Sequence, residues 1–151
     1  MTLIYLDSSA VIKLFLQEAF SDQVDRALRA PEAHALTSDL TYAELHGFFA
    51  RALALGRLTP PRQKQLVEEF RAWFASVPHC AVSFAQVLRA GAFAIQHNLR
   101  GADAIHLVAA MESLSVAAGQ DRVFACFDQR LTREAQRTGW FDDFLTDPAF
   151  L

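Results

Sequence analysis

The sequence predicts an α/β fold in which a central, mostly parallel sheet of four to five strands is flanked by about seven helices. An apolar run at residues 3–6 is too short for a buried helix and too continuous for a half-exposed antiparallel strand, so it fits a central parallel strand. A helical pattern begins directly after this run, and three further strand-then-helix successions follow along the chain. This alternation is typical of α/β proteins.

The first half of the chain contains two predicted strands and four predicted helices. Each helix shows apolar residues at helical spacing, together with a Ser or Thr at its start or a Gly or Pro at its end. The predicted elements are strand 3–6, helix 8–16, helix 21–30, strand 34–38, helix 39–56 and helix 63–77, which residues 59–61 open. The last two helices are consecutive and form a hairpin, which departs from strict alternation.

The second half continues the alternation, and the end of the chain is harder to interpret. The predicted elements are strand 79–83, helix 84–98, helix 102–118, strand 123–127 and helix 129–138. Residues 140–151 give no clear pattern beyond a short fifth strand near 141–145. We expect a single domain over residues 1–151, because this length suits one core that buries about two-thirds of the unfolded surface.

Composition narrows the class of protein. The chain is 52% hydrophobic with 13 Phe, and its longest apolar run is far below the roughly 20 residues that span a membrane, so we expect a cytoplasmic, self-associating protein. A net charge of -3 argues against bulk electrostatic binding of nucleic acid and leaves room for a local basic patch. Cys80 and Cys126 are expected to be buried thiols, and neither they nor the five His show the spacing of a zinc site.

Four acids are predicted to share one edge of the sheet. Asp7 and Asp128 follow predicted strands, whereas Glu44 and Asp103 lie in the first turns of predicted helices. The carboxyl ends of parallel strands and the starts of the following helices face the same crevice, so these side chains are expected to converge. Such carboxylates would repel one another, and a hard cation such as Mg²⁺ or Mn²⁺ would relieve the repulsion and activate water.

Each acid also has a purely structural explanation. Asp7 and Asp128 suit the N-caps of the helices that follow them, and Asp103 suits the positive end of a helix dipole. Thr41 and Glu44 match the spacing of a capping box. These explanations account for the acids singly, but they do not require all four to lie in one crevice.

The segments YLDSSAVIKL, TYAEL, LRGADAIHL and CFDQRL, in this order, resemble the four acidic motifs of the PIN domain, especially those of VapC-type toxins from bacterial toxin–antitoxin pairs. The resemblance implies a Mg²⁺-dependent endoribonuclease that cleaves RNA phosphodiesters with metal-activated water. It places Asp7, Glu44, Asp103 and Asp128 in the acidic, metal-binding pocket, with the hydroxyl of Ser9 nearby. It also implies a homodimer or higher homo-oligomer and a small antitoxin partner.

The chain departs from the family pattern at one position near the site. Cys126 stands where a Thr or Ser is common, two residues before the last acid. Three arginines beside the acids, Arg100, Arg130 and Arg133, are candidates for holding RNA phosphates, and their alternative is a solvated surface position. Lys13 is expected to face solvent, and His106 is expected to be packed in the core rather than to approach the acids.

Three other functions would require residues that differ from those in this sequence. A phosphohydrolase with an aspartyl nucleophile would need a second acid where Ser9 stands, and a receiver-like signalling module would need paired acids near the first strand and a late Lys. A catalytically weak or inactive PIN-like domain for metal binding or interaction would be expected to have lost an acid, and all four are present. The predicted function is therefore that of a ribonuclease.

Overall fold

The computed structural model describes residues 1–116 and 119–151, and its centre is a sheet of five parallel strands. The strands are β1 (Thr2–Leu6), β2 (Ala33–Ser38), β3 (His79–Cys80), β4 (Asp121–Ala125) and β5 (Asp143–Leu145). They lie in the order β3, β2, β1, β4, β5. β1 is central, because Tyr5 lies opposite Leu36 of β2 on one side and Phe124 of β4 on the other.

Seven α-helices occur in the described part of the chain, as the periodicity predicts. They are α1 (Ser8–Val11), α2 (Ser21–Leu28), α3 (Asp39–Ala54), α4 (Pro60–Ser76), α5 (Phe84–His97), α6 (Gly101–Leu114) and α7 (Gln129–Thr138). Short 3₁₀ turns follow at Ile12–Leu14 and Pro148–Phe150. Within the described ranges, no helix is both long enough and apolar enough to cross a membrane.

The helices cover both faces of the sheet, and side chains of β1 alternate between two apolar cores. Ile4 and Leu6 pack with residues of α1 to α4, whereas Tyr5 packs with residues of α5 to α7. Four aromatic residues of α3 and α4 lie in the first of these cores: Phe49 and Phe74 are buried, and Phe48 and Trp73 pack against the same core. Both faces of the sheet are therefore covered by helices, and the edge at the carboxyl ends of the strands remains accessible for a functional site.

Several predicted boundaries were wrong, and four elements illustrate this. Helix 8–16 is α-helical only to Val11, where a 3₁₀ turn takes over. Strand 79–83 shrinks to two residues, because β3 pairs only with the end of β2 at the sheet margin. Strand 123–127 begins and ends two residues earlier, and its exposed first residue, Asp121, hid the start of the ladder. Helix 102–118 ends at Leu114, and residues 117–118 lie outside the described structure.

Candidate active site

The ends of β1 and β4 are tied together where the strand order reverses. The backbone N–H of Asp7 donates to the carbonyl of Ala125 at 3.0 Å. Two residues further along the chain from each of these, beyond the strand ends, the backbone N–H of Phe127 donates to Oγ of Ser9 at 2.7 Å. A reversal of this kind opens a crevice at the carboxyl edge of an α/β sheet. The site is therefore framed by the residues that follow these two strands.

Asp7 lies at the floor of this crevice and is only 4% exposed. Its Oδ1 accepts hydrogen bonds from Oγ of Ser9 at 2.6 Å and from the backbone N–H of Ala10 at 3.0 Å, so it also caps α1. Burial raises the pKa of the carboxyl, although the neighbouring His106 and these hydrogen bonds oppose the rise. Asp7 is thus both an N-cap and a strand-end acid, and the two explanations are compatible.

Glu44 enters the crevice from the second turn of α3 rather than from the first turn that the sequence suggested. The helix begins at Asp39 with Ser38 as its N-cap, and the predicted capping box with Thr41 does not form. Instead Thr41 is buried and pairs with the hydroxyl of Thr37 at 2.8 Å. The carboxylate of Glu44 is therefore not used to begin the helix, and its side chain is 32% exposed.

Two side chains hydrogen-bond to the same oxygen of Glu44. Oε2 accepts from Oγ of Ser8 and from Nε2 of His106, the latter at 2.7 Å. Burial alone would raise the pKa of Glu44, but the hydrogen bonds from His106 and Ser8 bring it below its ordinary value. The carboxylate of Glu44 is consequently held ionised.

Asp103 and Asp128 are joined by one arginine. Nε of Arg100 donates to Oδ2 of Asp103 at 2.8 Å, and its Nη2 donates to Oδ2 of Asp128 at 3.3 Å. Asp128 follows β4 after three residues and caps α7 by accepting from the N–H of Leu131 at 2.9 Å. Arg100 is 71% exposed on its side chain, so it neutralises the two acids from the solvent side.

The donor set suits a hard divalent cation in its chemistry, because carboxylate oxygens are the ligands that such ions prefer and two of the acids already attract the guanidinium of Arg100. In the described residues, no three His, Cys, Asp or Glu side chains converge closely enough to hold an ion. Asp103 and Asp128 would have to turn from Arg100 toward the metal. The exposure of Arg100 makes that exchange possible without disturbing the core.

Cys126 takes part in the site although it carries no hydroxyl. Its Sγ accepts from the backbone N–H of Asp128 at 3.4 Å and lies 3.9 Å from Oγ of Ser9. The side chain is fully buried, as the sequence predicts, and burial raises the pKa of the thiol well above its ordinary value. Cys80 is only partly buried. The thiol of Cys126 therefore occupies the supporting position in its protonated form.

Sequence reasoning missed two contacts at the site. His106 is buried, as expected for a core histidine, but its ring also reaches Glu44, which a position one turn after Asp103 on α6 makes possible. Lys13 does not face solvent: its side chain is 8% exposed and donates to Glu18 at 2.7 Å, with Nζ 4.6 Å from the ring centroid of Phe127. The apolar pattern around Lys13 gave no sign of this fold-back.

A cavity of about 310 Å³ opens beside Glu44. Its lining includes Ser8, Ser9, Glu44, Lys13, Phe48 and Phe127. Arg130 and Arg133 are exposed on α7, and they form no ion pair in the ranges that the structure describes. The lining of the cavity thus combines the carboxylate of Glu44 with the cationic side chain of Lys13.

Comparison with known proteins identifies the family. The sequence profile of the PIN domain matches residues 4–133. Ribonuclease VapC45 of Mycobacterium tuberculosis is 30% identical over 139 residues, which cover 92% of this chain and 93% of that protein. The crystal structure of M. tuberculosis VapC20, described as a sarcin-ricin loop cleaving toxin, has a TM-score of 0.62 at 15% identity and covers 87% of this chain and 94% of that one.

A toxin–antitoxin complex from Klebsiella pneumoniae has a TM-score of 0.54 at 16% identity, covering 85% of this chain and 88% of that one. At such low identity, the solved structures establish the fold alone, whereas the profile match extends over most of the chain and includes the ends of both β1 and β4. The chain belongs to the PIN domain family.

Proposed function

We propose that this protein is a metal-dependent endoribonuclease and the toxin of a VapBC-type toxin–antitoxin pair. The observation that carries the proposal is the placement of Asp7 and Asp128 after the two strands at the reversal of the strand order, with Arg100 joining Asp128 to Asp103. Membership of the PIN domain family and the relative named Ribonuclease VapC45 support it. The metal is Mg²⁺ or Mn²⁺, because an oxygen-only set of carboxylates suits these ions.

Each residue has a distinct task in this proposal. Asp7, Glu44, Asp103 and Asp128 are the metal ligands, and a bound divalent cation supplies an activated water and offsets charge on the leaving oxygen. Ser9 holds Asp7 in place through the 2.6 Å hydrogen bond between them. The acids alone would repel the RNA backbone, so cationic side chains are needed to bring a phosphodiester to the site.

Arg100, Arg130 and Arg133 are the proposed phosphate-binding residues. Arg130 and Arg133 are exposed in the first turns of α7, directly after Asp128. Arg100 adds a third guanidinium on the same side, and it can exchange its carboxylate partners for a phosphate when the acids are neutralised. The net charge of -3 means that binding relies on this local group and is sensitive to salt.

The proposed antitoxin covers the crevice and contributes a cationic side chain. An inserted Arg or Lys would satisfy the carboxylates by charge-assisted hydrogen bonds and so occupy the place of the metal. Support comes from the similarity to a solved toxin–antitoxin complex. Self-association, as a homodimer or a higher oligomer, is also proposed, because α5 exposes Phe84, Leu88 and Ile95 along one side.

The test is expression in a bacterium of the wild type, of Asp103→Asn and of Asp121→Asn as a matched control. Asp121 is exposed at the opposite edge of the sheet, so its loss of charge should leave the nuclease intact. We expect the wild type and Asp121→Asn to arrest growth and degrade RNA, and Asp103→Asn to do neither. Co-expression of the small neighbouring reading frame should relieve the arrest, and its product should copurify.

Equal growth and intact RNA with all three proteins would contradict the toxin assignment. If the purified wild type then also fails to cleave structured RNAs in Mn²⁺, the nuclease assignment fails as well. A PIN-like domain for metal binding or interaction, with little or no turnover, would replace it.

A further inference from the structure

A buried chain of hydrogen bonds runs from the second core to Glu44. The hydroxyl of Tyr5 lies 3.0 Å from Nδ1 of His106, and Nε2 of the same ring lies 2.7 Å from Oε2 of Glu44. Tyr5 is fully buried and His106 is 2% exposed, while Glu44 lies at the open crevice. The chain therefore connects the sealed interior to a proposed metal ligand.

We propose that His106 is a positioning residue, which Tyr5 fixes in the tautomer protonated at Nε2 so that the ring donates to Glu44 and orients its carboxylate. This inference rests on the proposed function, because the orientation matters only if Glu44 binds a metal. Neither Tyr5 nor His106 would touch the metal or the RNA.

The chemistry of the partners decides the tautomer. An ionised carboxylate only accepts hydrogen bonds, so the nitrogen that faces Glu44 must carry a hydrogen. In the neutral imidazole Nδ1 is then an acceptor, and the hydroxyl of Tyr5 is its donor. This assignment also gives the buried hydroxyl of Tyr5 an acceptor, without which its burial would be costly.

Packing holds the ring of His106 in this orientation. The ring of Tyr5 meets it edge-on, with centroids 6.1 Å apart and an angle of 71° between the planes. Tyr5 is itself stacked on Phe124 of β4 at 5.9 Å. Since Tyr5 belongs to the central strand, neither ring can move without disturbing the middle of the sheet.

The result at Glu44 is asymmetric. Both Ser8 and His106 bond to Oε2, whereas Oε1 has no hydrogen bond among the residues that the structure describes. One oxygen is thus used for orientation and the other is available for a ligand. A metal-binding carboxylate fixed by such outer contacts typically loses about 10- to 100-fold in metal affinity or activity when the contact is removed.

The test measures the dissociation constant for Mn²⁺ directly, from the electron paramagnetic resonance signal of unbound Mn²⁺. His106→Leu removes the donor and should weaken binding by about 10-fold or more. His106→Gln keeps an N–H and should restore part of that loss. His34→Gln is the matched control, because His34 is exposed on β2, and it should bind Mn²⁺ as the wild type does.

A second measurement reads the tautomer without metal. Long-range ¹H–¹⁵N correlation spectra in EDTA, at about pH 8.5 where histidine is ordinarily neutral, should show His106 protonated at Nε2. The signal is assigned by its loss in His106→Gln. Tyr5→Phe, which removes only the hydroxyl, should reduce Mn²⁺ affinity by a smaller factor than His106→Leu. In a Glu44→Gln background, His106→Leu should cause no further loss.

Several results would overturn the inference and leave the proposed function standing. These are a wild type protonated at Nδ1, a His106→Leu protein that folds and binds Mn²⁺ as tightly as the wild type, and an equal loss in the Glu44→Gln background. If His106→Leu does not fold, wild-type affinity in Tyr5→Phe overturns it. A wild type that neither binds Mn²⁺ nor cleaves RNA instead overturns the proposed function, and the positioning role with it.

Discussion

Replacing Asp7 by Asn or by Ala separates the charge of this residue from its role as a helix cap. Asn keeps an oxygen that can accept from the N–H of Ala10 and the hydroxyl of Ser9, which are the two hydrogen bonds in the structure. Ala removes both. We therefore expect Asp7→Asn to keep the fold and abolish metal-dependent RNA cleavage, and Asp7→Ala to lose stability as well.

The magnitudes follow from the contacts. Loss of an N-cap costs about 0.5–2 kcal/mol, and the partly buried hydroxyl of Ser9 left without its carboxylate acceptor costs up to about 1–3 kcal/mol. Asp7→Ala should thus lower the free energy of unfolding by about 1.5–5 kcal/mol, or the melting temperature by about 3–20 °C for a chain of this length. Asp7→Asn loses only a helix-dipole interaction of about 0.3–1 kcal/mol, which the removal of a buried charge offsets.

The pH dependence has a definite sign. Because the pKa of Asp7 is raised above its ordinary value of 3.8, the folded state binds the proton more tightly than the unfolded state. The contribution of Asp7 to stability therefore falls as the pH rises from about 4 through the raised pKa. Asp7→Asn removes this fall, so its stability relative to the wild type should be higher at pH 8 than at pH 4.

Urea unfolding in EDTA, followed by circular dichroism at pH 4, 6 and 8, measures all three proteins. A loss of 2 kcal/mol or more in Asp7→Asn at pH 8, equal to that in Asp7→Ala, would refute the reasoning. It would mean that the charge itself stabilises the fold, and that Asp7 serves α1 rather than the crevice.

Two further predictions concern ion pairs. Arg100→Gln should lower the free energy of unfolding by less than about 1 kcal/mol, because the ion pairs of Arg100 are exposed. The variant should bind Mn²⁺ at least as tightly as the wild type and have a higher KM for RNA. Weaker Mn²⁺ binding in calorimetry would contradict the proposed competition for Asp103 and Asp128. Asp142→Asn should lower the melting temperature at pH 7, because Arg122 brings the pKa of Asp142 to about 2 and so stabilises the ionised carboxylate in the folded state. This difference from the wild type should shrink as the pH falls from 4 to 2. A difference that stays constant over that range would exclude the ion pair as its cause.

The sequence predicts those parts of the fold that depend on local pattern. Residues 3–6 identify β1 by their continuous apolar character, and the spacing of Leu66, Phe70 and Phe74 identifies α4, which lies in the first core as expected. The ends of β3 and β4 were misplaced because pairing with a neighbouring strand, rather than local propensity, decides where a ladder begins.

The candidate site likewise has features that local sequence predicts and features that depend on long-range packing. The position of Asp7 follows from the end of β1, which the sequence reveals, whereas Asp128 lies three residues beyond the end of β4 rather than directly after it. The side chains that contact the acids cannot be found in this way. His106, which contacts Glu44, is held by Tyr5, and these two residues are 101 positions apart, so only the folded sheet brings them together. Arg100 was expected near the acids, yet its bridge between Asp103 and Asp128 depends on side-chain directions that no spacing rule supplies.

The strand order also fixes when the crevice is completed during synthesis. Ser9 and Phe127, whose hydrogen bond ties β1 to β4, are 118 positions apart, and Asp128 follows still later. A ribosome that adds about 5–20 residues per second makes Asp128 roughly 6–24 seconds after Asp7. Throughout that interval β1 has one unpaired edge and the fourth carboxylate does not exist. A nascent chain therefore lacks one of the four proposed metal ligands, and the exposed edge of β1 is a point where a chaperone or a misfolded neighbour can bind first.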